Sequence, residues 1–308
     1  MAVLPRAEVD IGPSLVVSLL ADQHPDLAGL PLARAGNGWD NELFRLGPDL
    51  VVRLPRRQVA ELLMVAEQRW LQGLTAHLDV PTSAPLRAGR PGPGYPWHWS
   101  VCRWIDGAAG TTVPRADRAP AARALARFLV QFQQEAPADA PVSPVGRGGP
   151  LAGRDDVVRS RLATLPSLPS LPSLPSLPRL PVERLFGIWA SALAAPEWSR
   201  PALWLHGDLH PGNLVLAADG TLAGVVDFGD LCSGDPATDL AAAWLVFDAA
   251  GREAFRSELD ALRPSDAATW DRARGWALSM GSAMVASSDD SPDFLALGLE
   301  ILSAVLED

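Results

Sequence analysis

Three oxygen-bearing side chains with a fixed spacing stand out in the second half of the chain. Asp208 and Asn213 are five residues apart, and Asp227 lies fourteen residues beyond Asn213. Phosphoryl transfer needs one group that accepts the proton of the attacking hydroxyl, and oxygen ligands that hold magnesium on the nucleotide phosphates. Asp208 fits the first role, and Asn213 and Asp227 fit the second. Singly, each would be interpreted as a turn former, but together they predict phosphoryl transfer to a hydroxyl.

The alternation of His206, Asp208 and His210 offers a second interpretation of the same loop. Such a set could hold zinc or iron in a metal-dependent hydrolase. It leaves Asn213 and Asp227 without a role, and the two cysteines of the chain cannot supply a metal cluster or a disulfide framework. We therefore expect His206 to be a buried residue that binds loop backbone, and His210 to lie near the substrate.

The elements that must position these residues can be predicted from the pattern of apolar residues. Before residue 105, short apolar runs separated by glycine and proline turns predict five strands, and two segments have helical spacing. The predicted strands are 32–35, 42–46, 50–54, 86–90 and 98–104, and the predicted helices are 14–21 and 58–77. The apolar residues predicted to share one face of the longer helix are Leu62, Leu63, Val65, Ala66, Trp70, Leu71 and Leu74.

After residue 105 the pattern is mostly helical. The predicted helices are 120–135, 153–163, 182–194, 235–250, 265–287 and 293–307. The only strands predicted there are 202–205, 213–217 and 221–226, and Asp219-Gly220 predicts a hairpin turn between the last two. Together these elements predict an α+β fold with two lobes. An antiparallel five-stranded N-terminal lobe would span 1–104 and a mainly helical C-terminal lobe 105–308.

A low-complexity segment interrupts the helical region at 165–181, where Leu-Pro-Ser is repeated four times. Proline at every third position excludes a helix and favours polyproline II or coil. The segment could dock a proline-recognition domain. An expanded surface loop is the simpler interpretation, because the cost of closing a loop rises slowly with its length.

The bulk composition limits the classes of partner. A chain of 308 residues can bury a core large enough for two lobes, and its net charge of −10 argues against nucleic acid as a partner. No apolar run is long enough to span a membrane and no signal peptide is apparent, so we expect a cytoplasmic protein with access to ATP. All 26 basic residues are arginine, so any role that usually needs lysine must be filled by arginine or left empty.

The sequence resembles the aminoglycoside phosphotransferase family, small-molecule kinases with a protein-kinase-like fold. The matching segments are His-Gly-Asp-Leu-His-Pro-Gly-Asn at 206–213, Asp-Phe-Gly-Asp at 227–230, Gly-Asp-Pro-Ala-Thr-Asp-Leu-Ala at 234–241, Gly-Trp-Asp-Asn at 38–41 and Val-Val-Arg-Leu-Pro-Arg at 51–56. Together they span most of the chain. Within them, Asp235 is expected to cap the following helix and Asp239 to brace the catalytic loop.

The resemblance implies a nucleotide site in the N-terminal lobe, for ATP or alternatively GTP, with Mg²⁺. Two glycines would lie in a phosphate-covering turn, an arginine and a glutamate would form an ion pair, and two further residues would belong to the hinge strand that reads adenine. These residues are, in that order, Gly36, Gly38, Arg53, Glu67, Cys102 and Trp104. Arg53 occupies the position of the family's usual phosphate-binding lysine. It is therefore either the working phosphate contact or the mark of a weakened site, since the two side chains differ in geometry.

The resemblance also implies an acceptor site whose acidic residues bind the ammonium groups of aminoglycosides. The candidates are Asp155, Asp156, Asp289, Asp290 and Asp293. Helix caps and solvated loop positions are the simpler interpretation of these residues. The implied activity is ATP-dependent phosphorylation of a hydroxyl on an aminoglycoside or a related antibiotic. A macrolide, a sugar or an amino alcohol is an alternative acceptor, and a nucleotide-binding pseudokinase is the alternative outside this enzyme class.

Overall fold

The computed structural model describes residues 6–165, 180–287 and 291–307. Most of the Leu-Pro-Ser repeat, residues 166–179, lies outside the described residues. The candidate acceptor residues Asp289 and Asp290 also lie outside them. Within the described ranges, no helix is long and apolar enough to cross a membrane.

Strands predominate before residue 106 and helices after it. In the described residues the strands are β1 (Leu32–Asn37), β2 (Asn41–Leu46), β3 (Leu50–Pro55), β4 (Pro85–Gly89), β5 (Trp99–Arg103), β6 (Ala108–Ala109), β7 (Leu203–Leu205), β8 (Leu214–Leu216), β9 (Leu222–Val225) and β10 (Cys232–Gly234). The α-helices are α1 (Pro13–Gln23), α2 (Val59–Thr75), α3 (Ala122–Phe132), α4 (Asp155–Thr164), α5 (Val182–Ala194), α6 (Ala237–Leu240), α7 (Ala242–Val246), α8 (Ala249–Leu262), α9 (Ala267–Ala286) and α10 (Pro292–Leu306).

The chain divides into two compact units. The first unit comprises the described residues up to Asp106 together with Gly224–Leu231, and the second comprises the described residues of Gly107–Ala223 and of Cys232–Asp308. Asp227 therefore belongs to the first unit, whereas Asp208 and Asn213 belong to the second. This division is discontinuous in sequence. The predicted continuous division into 1–104 and 105–308 stays a prediction.

The first unit is built on a five-stranded sheet in the order β1-β2-β3-β5-β4, and every neighbouring pair is antiparallel. Alternate residues of β2 are buried, as expected for a strand with one face on a core. That core joins the buried side of α1 to the sheet, with Leu19, Phe44, Val52 and Trp99 at most 1% exposed. These contacts confirm the predicted antiparallel sheet of five strands.

The predicted buried face of α2 is wrong in part. Its buried residues are Ala60, Met64, Glu67 and Leu71, whereas Leu62 is 75% exposed and Val65 is 37% exposed. The reason is that the buried face includes Glu67, whose carboxylate pairs with Arg53 on β3. An apolar-residue pattern does not include that contact, so it places the helix in the wrong rotation.

The second unit is mainly helical, as predicted, and among its described helices α9 contributes the largest number of buried residues. Thirteen of the twenty residues of α9 are buried. A Cβ on Gly281 would lie 2.7 Å from Ile301 of α10, so the small residue allows close contact between the two helices. Two small sheets complete the unit, β7 with β10, and β6-β8-β9. The chain of β9 begins in this unit and ends in the first.

Several predictions for the second unit are wrong. In place of the predicted helix 235–250 there are two short helices, α6 and α7. The second ends at Val246, because Phe247 is extended and Asp248 caps a new helix by accepting from Gly251 N–H. That helix, α8, was not predicted. The strands β6 and β10 were also missed, since each is at most three residues long and is defined by pairing with a distant segment.

Candidate active site

Arg53 on β3 and Glu67 on α2 form a buried, bidentate ion pair in the first unit. Arg53 Nη1 donates to Glu67 Oε2 at 2.5 Å and Nη2 donates to Oε1 at 3.1 Å. The side chains are 6% and 1% exposed. Burial favours a neutral guanidine, but Glu67 outweighs it and raises the pKa of Arg53 above its ordinary value. The predicted ion pair is therefore present, and its contact with nucleotide phosphates stays a prediction.

Asp227 lies beside this pair. Its Oδ1 is 3.6 Å from Arg53 Nη2 and its side chain is 58% exposed. The backbone has a φ of 60°, a left-handed conformation that Asp and Asn adopt more readily than most residues. Its N–H donates to Ser83 Oγ at 3.2 Å. The carboxylate is therefore held at the edge of the buried pair, with room for a further ligand.

The two residues predicted for the hinge strand have different surroundings. Cys102 lies in β5 between β3 and β4, and burial raises the pKa of its thiol to about 11. Trp104 follows the strand, and its backbone N–H donates to Asp49 O at 2.7 Å. One face of its indole is covered by the guanidinium of Arg45, 4.1 Å from the ring centre. An adenine contact by these residues stays a prediction.

The predicted phosphate-covering turn is the hairpin between β1 and β2. Gly36 lies at a bulge in β1 with a φ of 140°, a conformation that favours glycine. Gly38 N–H donates to Asn41 O at 2.8 Å and closes the turn. The backbone of the turn is thus defined by glycine, and its contact with phosphates stays a prediction.

In the second unit, a buried carboxylate braces the loop between β7 and β8. Asp239 on α6 accepts from His206 N–H at 2.8 Å and from Gly207 N–H at 2.9 Å. Gln133 Nε2 lies 3.3 Å from the same carboxylate. Burial raises the pKa of Asp239, although these contacts oppose the rise. The predicted bracing role of Asp239 is confirmed.

Asp208 in this loop carries a carboxylate held between two nitrogen donors. Arg147 Nη2 donates to Oδ1 at 2.9 Å, and His210 Nε2 lies 3.4 Å from Oδ2. Since His210 Nδ1 accepts from Gly212 N–H, the ring proton belongs on Nε2, the nitrogen that faces Asp208. Burial alone would raise the pKa of Asp208, but His210 and Arg147 hold it well below its usual range. The carboxylate is ionised, and 26% of the side chain is exposed.

Asn213 ends the loop and supplies an amide oxygen. Its Nδ2 donates to the backbone oxygen of Asp208 at 2.8 Å, so the nitrogen is used within the loop and Oδ1 is the atom left for a ligand. Magnesium prefers such neutral and carboxylate oxygens. The oxygen of Asn213 and the exposed carboxylate of Asp227 therefore fit the ligand types that magnesium requires.

The surroundings of His206 decide against the alternative metal site. The ring is fully buried, and its Nδ1 accepts from Asp208 N–H at 3.3 Å, which confirms the expected contact with loop backbone. In the described part of the chain, no three His, Cys, Asp or Glu side chains are arranged to hold a metal ion. The zinc or iron site considered for His206, Asp208 and His210 is therefore not formed.

The described acidic candidates for the acceptor site lie at helix starts. Asp155 and Asp156 are in the first turn of α4, and Asp293 is in the first turn of α10, where a carboxylate interacts favourably with the helix dipole. Asp155 also accepts from Trp189 Nε1 at 2.7 Å and from Arg159 at 2.6 Å. Their role in substrate binding stays a prediction. Asp235, expected to be a cap, accepts from Ala237 N–H.

Sequence reasoning missed Arg147. The residue lies in Gly-Arg-Gly-Gly at 146–149, 61 residues before Asp208. A glycine-rich run with one charged residue is the only signal that the sequence offers. The contact depends on how the loop folds against β7 and β10, which no local pattern records.

Comparisons with known proteins give a consistent result. The model of a family described as "Phosphotransferase enzyme family" matches residues 31–276. No curated protein matches the chain. Similar solved structures include the GDP complex of aminoglycoside 2'-phosphotransferase-IIIa, with 19% identity, 96% of this chain and 98% of that chain covered, and a TM-score of 0.64. Macrolide 2'-phosphotransferase MphH from Brachybacterium faecium has 20% identity, 94% and 98% coverage and a TM-score of 0.59.

A third similar structure is the streptomycin–ATP ternary complex of APH(2")-IIa. It has 16% identity, 90% and 91% coverage and a TM-score of 0.56. At these identities the likeness concerns the fold. It confirms the predicted α+β, kinase-like fold class.

Proposed function

Because the chain belongs to the phosphotransferase enzyme family, we propose that it transfers the γ-phosphoryl group of a nucleoside triphosphate to a hydroxyl of a small molecule. Membership confirms the predicted class of enzyme, a phosphotransferase. The observation that supports the proposed reaction is the state of Asp208. Its carboxylate is ionised, partly exposed, and carried by a loop that the buried Asp239 holds in place.

In the proposed reaction Asp208 aligns the acceptor hydroxyl and takes its proton. The hydroxyl oxygen forms a bond to the γ-phosphorus, the bond from that phosphorus to the bridging oxygen breaks, and nucleoside diphosphate leaves. A carboxylate with a lowered pKa is a weak base, so the proton moves late, when the new bond has made the hydroxyl acidic. Alignment is then the larger part of what Asp208 contributes, in keeping with a loose phosphoryl-transfer transition state.

Three residues are proposed to hold magnesium and the phosphates. Asn213 and Asp227 would supply oxygen ligands to Mg²⁺, which neutralises phosphate charge when it is bound. Arg53 would contact the phosphates where the family usually has lysine. Its guanidinium already donates two hydrogen bonds to Glu67, so only some of its five N–H donors remain for a nucleotide.

ATP is the proposed donor and GTP the alternative, since similar structures were solved with ATP and with GDP. An ATP-dependent reaction would take place in the cytoplasm. An aminoglycoside is the first candidate acceptor. A macrolide is the second, because the chain is similar to a macrolide 2'-phosphotransferase and because Asp155 is already paired with Arg159. A sugar or an amino alcohol would use the same chemistry.

The proposal can be tested with the purified protein, ATP or GTP, Mg²⁺ and a panel of aminoglycosides and macrolides. A product heavier by about 80 Da, one phosphoryl group, is expected by mass spectrometry. Asp208→Ala should slow the transfer about 10²–10⁴-fold, as expected when a general base is lost, and should still bind nucleotide. Near-normal turnover by that variant would overturn the assignment. Nucleotide binding without any product would support a pseudokinase instead.

A second variant separates the magnesium-binding role from the base. Asp227→Asn keeps a side chain that tolerates the left-handed backbone at this position but removes the charge. We expect it to lose most of the rise in unfolding temperature that Mg²⁺ and nucleotide produce by linkage. Asp208→Ala should keep that rise. If both variants were stabilised by nucleotide as strongly as the natural protein, Asp227 would not be a ligand of the metal–nucleotide complex.

A further inference from the structure

Arg147 reaches the carboxylate of Asp208 from a separate loop. Its Nη2 donates to Asp208 Oδ1 at 2.9 Å, and 17% of its side chain is exposed. Its Nε is buried and has no hydrogen-bond partner in the described part of the chain. In the described residues, the bond to Asp208 is the one hydrogen bond made by the guanidinium. The side chain is therefore directed at this carboxylate and is not part of a wider ion-pair network.

The loop that carries Arg147 is fixed to the framework of the catalytic loop. Its neighbours Gly146 and Gly148 have φ values of 75° and 73°, which favour glycine. Gly148 N–H donates to Thr238 Oγ1 at 3.0 Å, and Gly148 O accepts from Asp235 N–H at 2.8 Å. A Cβ on Gly148 would lie 2.6 Å from Leu205, the last residue of β7. The backbone of this loop and the start of the catalytic loop thus share one rigid support.

The two oxygens of Asp208 are held unequally. Oδ1 accepts a hydrogen bond of 2.9 Å from Arg147, whereas among the described residues Oδ2 has only the 3.4 Å contact with His210. A contact of that length is weak and leaves Oδ2 able to accept from a hydroxyl. The terminal torsion of a carboxylate is broad, so a carboxylate without the arginine would have no strong contact to set its plane.

We propose that Arg147 is the positioning residue of the proposed base. It holds Oδ1 and thereby presents Oδ2 to the acceptor hydroxyl. The inference rests on the proposed function of Asp208. It predicts that Arg147 affects the chemical step through Asp208 and does not affect nucleotide binding, because transfer depends on the alignment of the reacting atoms.

The test is a double-mutant cycle between Arg147 and Asp208 in the full chain. Arg147→Ala should lower kcat about 10–100-fold, the loss expected from a misaligned group, with KM for the nucleotide unchanged. In the Asp208→Ala background the same substitution should lower the residual rate less than about twofold, because residues that act as a unit are non-additive. If the fold-loss in rate of the double variant equalled the product of the fold-losses of the two single variants, Arg147 would act independently of Asp208, directly on the phosphoryl group. That result would overturn the inference.

Two further measurements exclude a purely structural effect. Arg147→Lys keeps a donor for Oδ1 and should recover a part of the lost kcat. Guanidinium chloride, at concentrations far below those that unfold the protein, should raise the rate of Arg147→Ala and leave that of the natural protein unchanged. A rate that neither treatment raises would overturn the positioning role.

A matched control is Arg123→Ala. Arg123 is an arginine of the same unit that is 61% exposed and paired with Glu258, and its loss should leave kcat unchanged. If the natural protein forms no product with any acceptor, the proposed function fails and this inference fails with it. If the natural protein forms product and Arg147→Ala does so at the same rate, only the positioning role fails.

Discussion

The candidate residues of the two units are held in opposite ways. Around Arg53, charged side chains hold one another, and the pair with Glu67 is almost completely buried. Around Asp208, the backbone is held by a buried carboxylate, that of Asp239, and the side chain proposed to react stays partly exposed. Ionic contacts thus stabilise the interior of the first unit, whereas in the second unit they hold the side chain of the proposed base.

The difference has an energetic consequence. Removing one partner of a buried ion pair leaves an uncompensated charge inside the protein and is strongly destabilising. Removing one partner of a partly exposed pair leaves a charge that water can solvate, and costs little. We therefore expect loss of stability to dominate the effects of substitutions in the first set, and loss of turnover to dominate in the second.

The largest effect on stability is expected for Glu67→Ala. Arg53 would remain buried without its bidentate partner, with Asp227 only as a distant one at 3.6 Å. The free energy of unfolding should fall by about 3–5 kcal/mol, measured by urea denaturation. Asp208→Ala should change it by about 1 kcal/mol or less. Equal losses in the two variants would break the comparison between the units.

A smaller effect is expected for Asp239→Asn, which tests whether the second unit really relies on a buried carboxylate. An amide has a single acceptor oxygen, so one of the N–H groups of His206 and Gly207 loses its partner, at a cost of about 1–3 kcal/mol. Because burial raises the pKa of Asp239, ionising it costs stability above the ordinary carboxyl pKa. The neutral amide avoids that cost, so the net loss of stability should be about 1 kcal/mol, the lower end of the range.

Turnover should respond more strongly than stability to Asp239→Asn, since the loop that carries Asp208 would shift. Turnover is measured by steady-state kinetics and the free energy of unfolding by urea denaturation, both on the same preparation. Unchanged turnover together with lower stability would show that the buried carboxylate only stabilises the fold, and the contrast between the units would disappear.

The parts that sequence could predict are those with a local physical signal. Short apolar runs between turn residues predict the strands of the first unit. In the second unit, Asp219-Gly220 forms the expected turn between β8 and β9, with Gly220 at a φ of 79°. The spacing of Asp208, Asn213 and Asp227 predicts oxygen ligands and a base, and these roles stay predictions. Each depends on the residues themselves or on close neighbours along the chain.

The parts that were missed depend on contacts between distant segments. The rotation of α2 follows from a bond between Glu67 and a strand fourteen residues away. No proline or glycine marks the helix end at Phe247 in the sequence, and Asp248 could equally be a surface residue of one long helix. The contact of Arg147 becomes visible only when its loop is placed beside the loop between β7 and β8. Apolar periodicity does not describe ionic contacts of this kind.

The smallest effect concerns two thiols that report on the units separately. Cys102 in the first unit and Cys232 in the second are both free and buried, and the pKa of Cys102 is raised to about 11. At pH 8 neither thiol should react with iodoacetamide in the folded protein, because the reagent needs an exposed thiolate.

In Glu67→Ala, Cys102 should become reactive at a lower denaturant concentration than Cys232, as identified by peptide mass spectrometry. This order is expected because local opening follows local stability, and the lost ion pair lies beside Cys102. If both thiols became reactive at the same denaturant concentration, the ion pair of Arg53 and Glu67 would stabilise the whole chain and not the first unit alone.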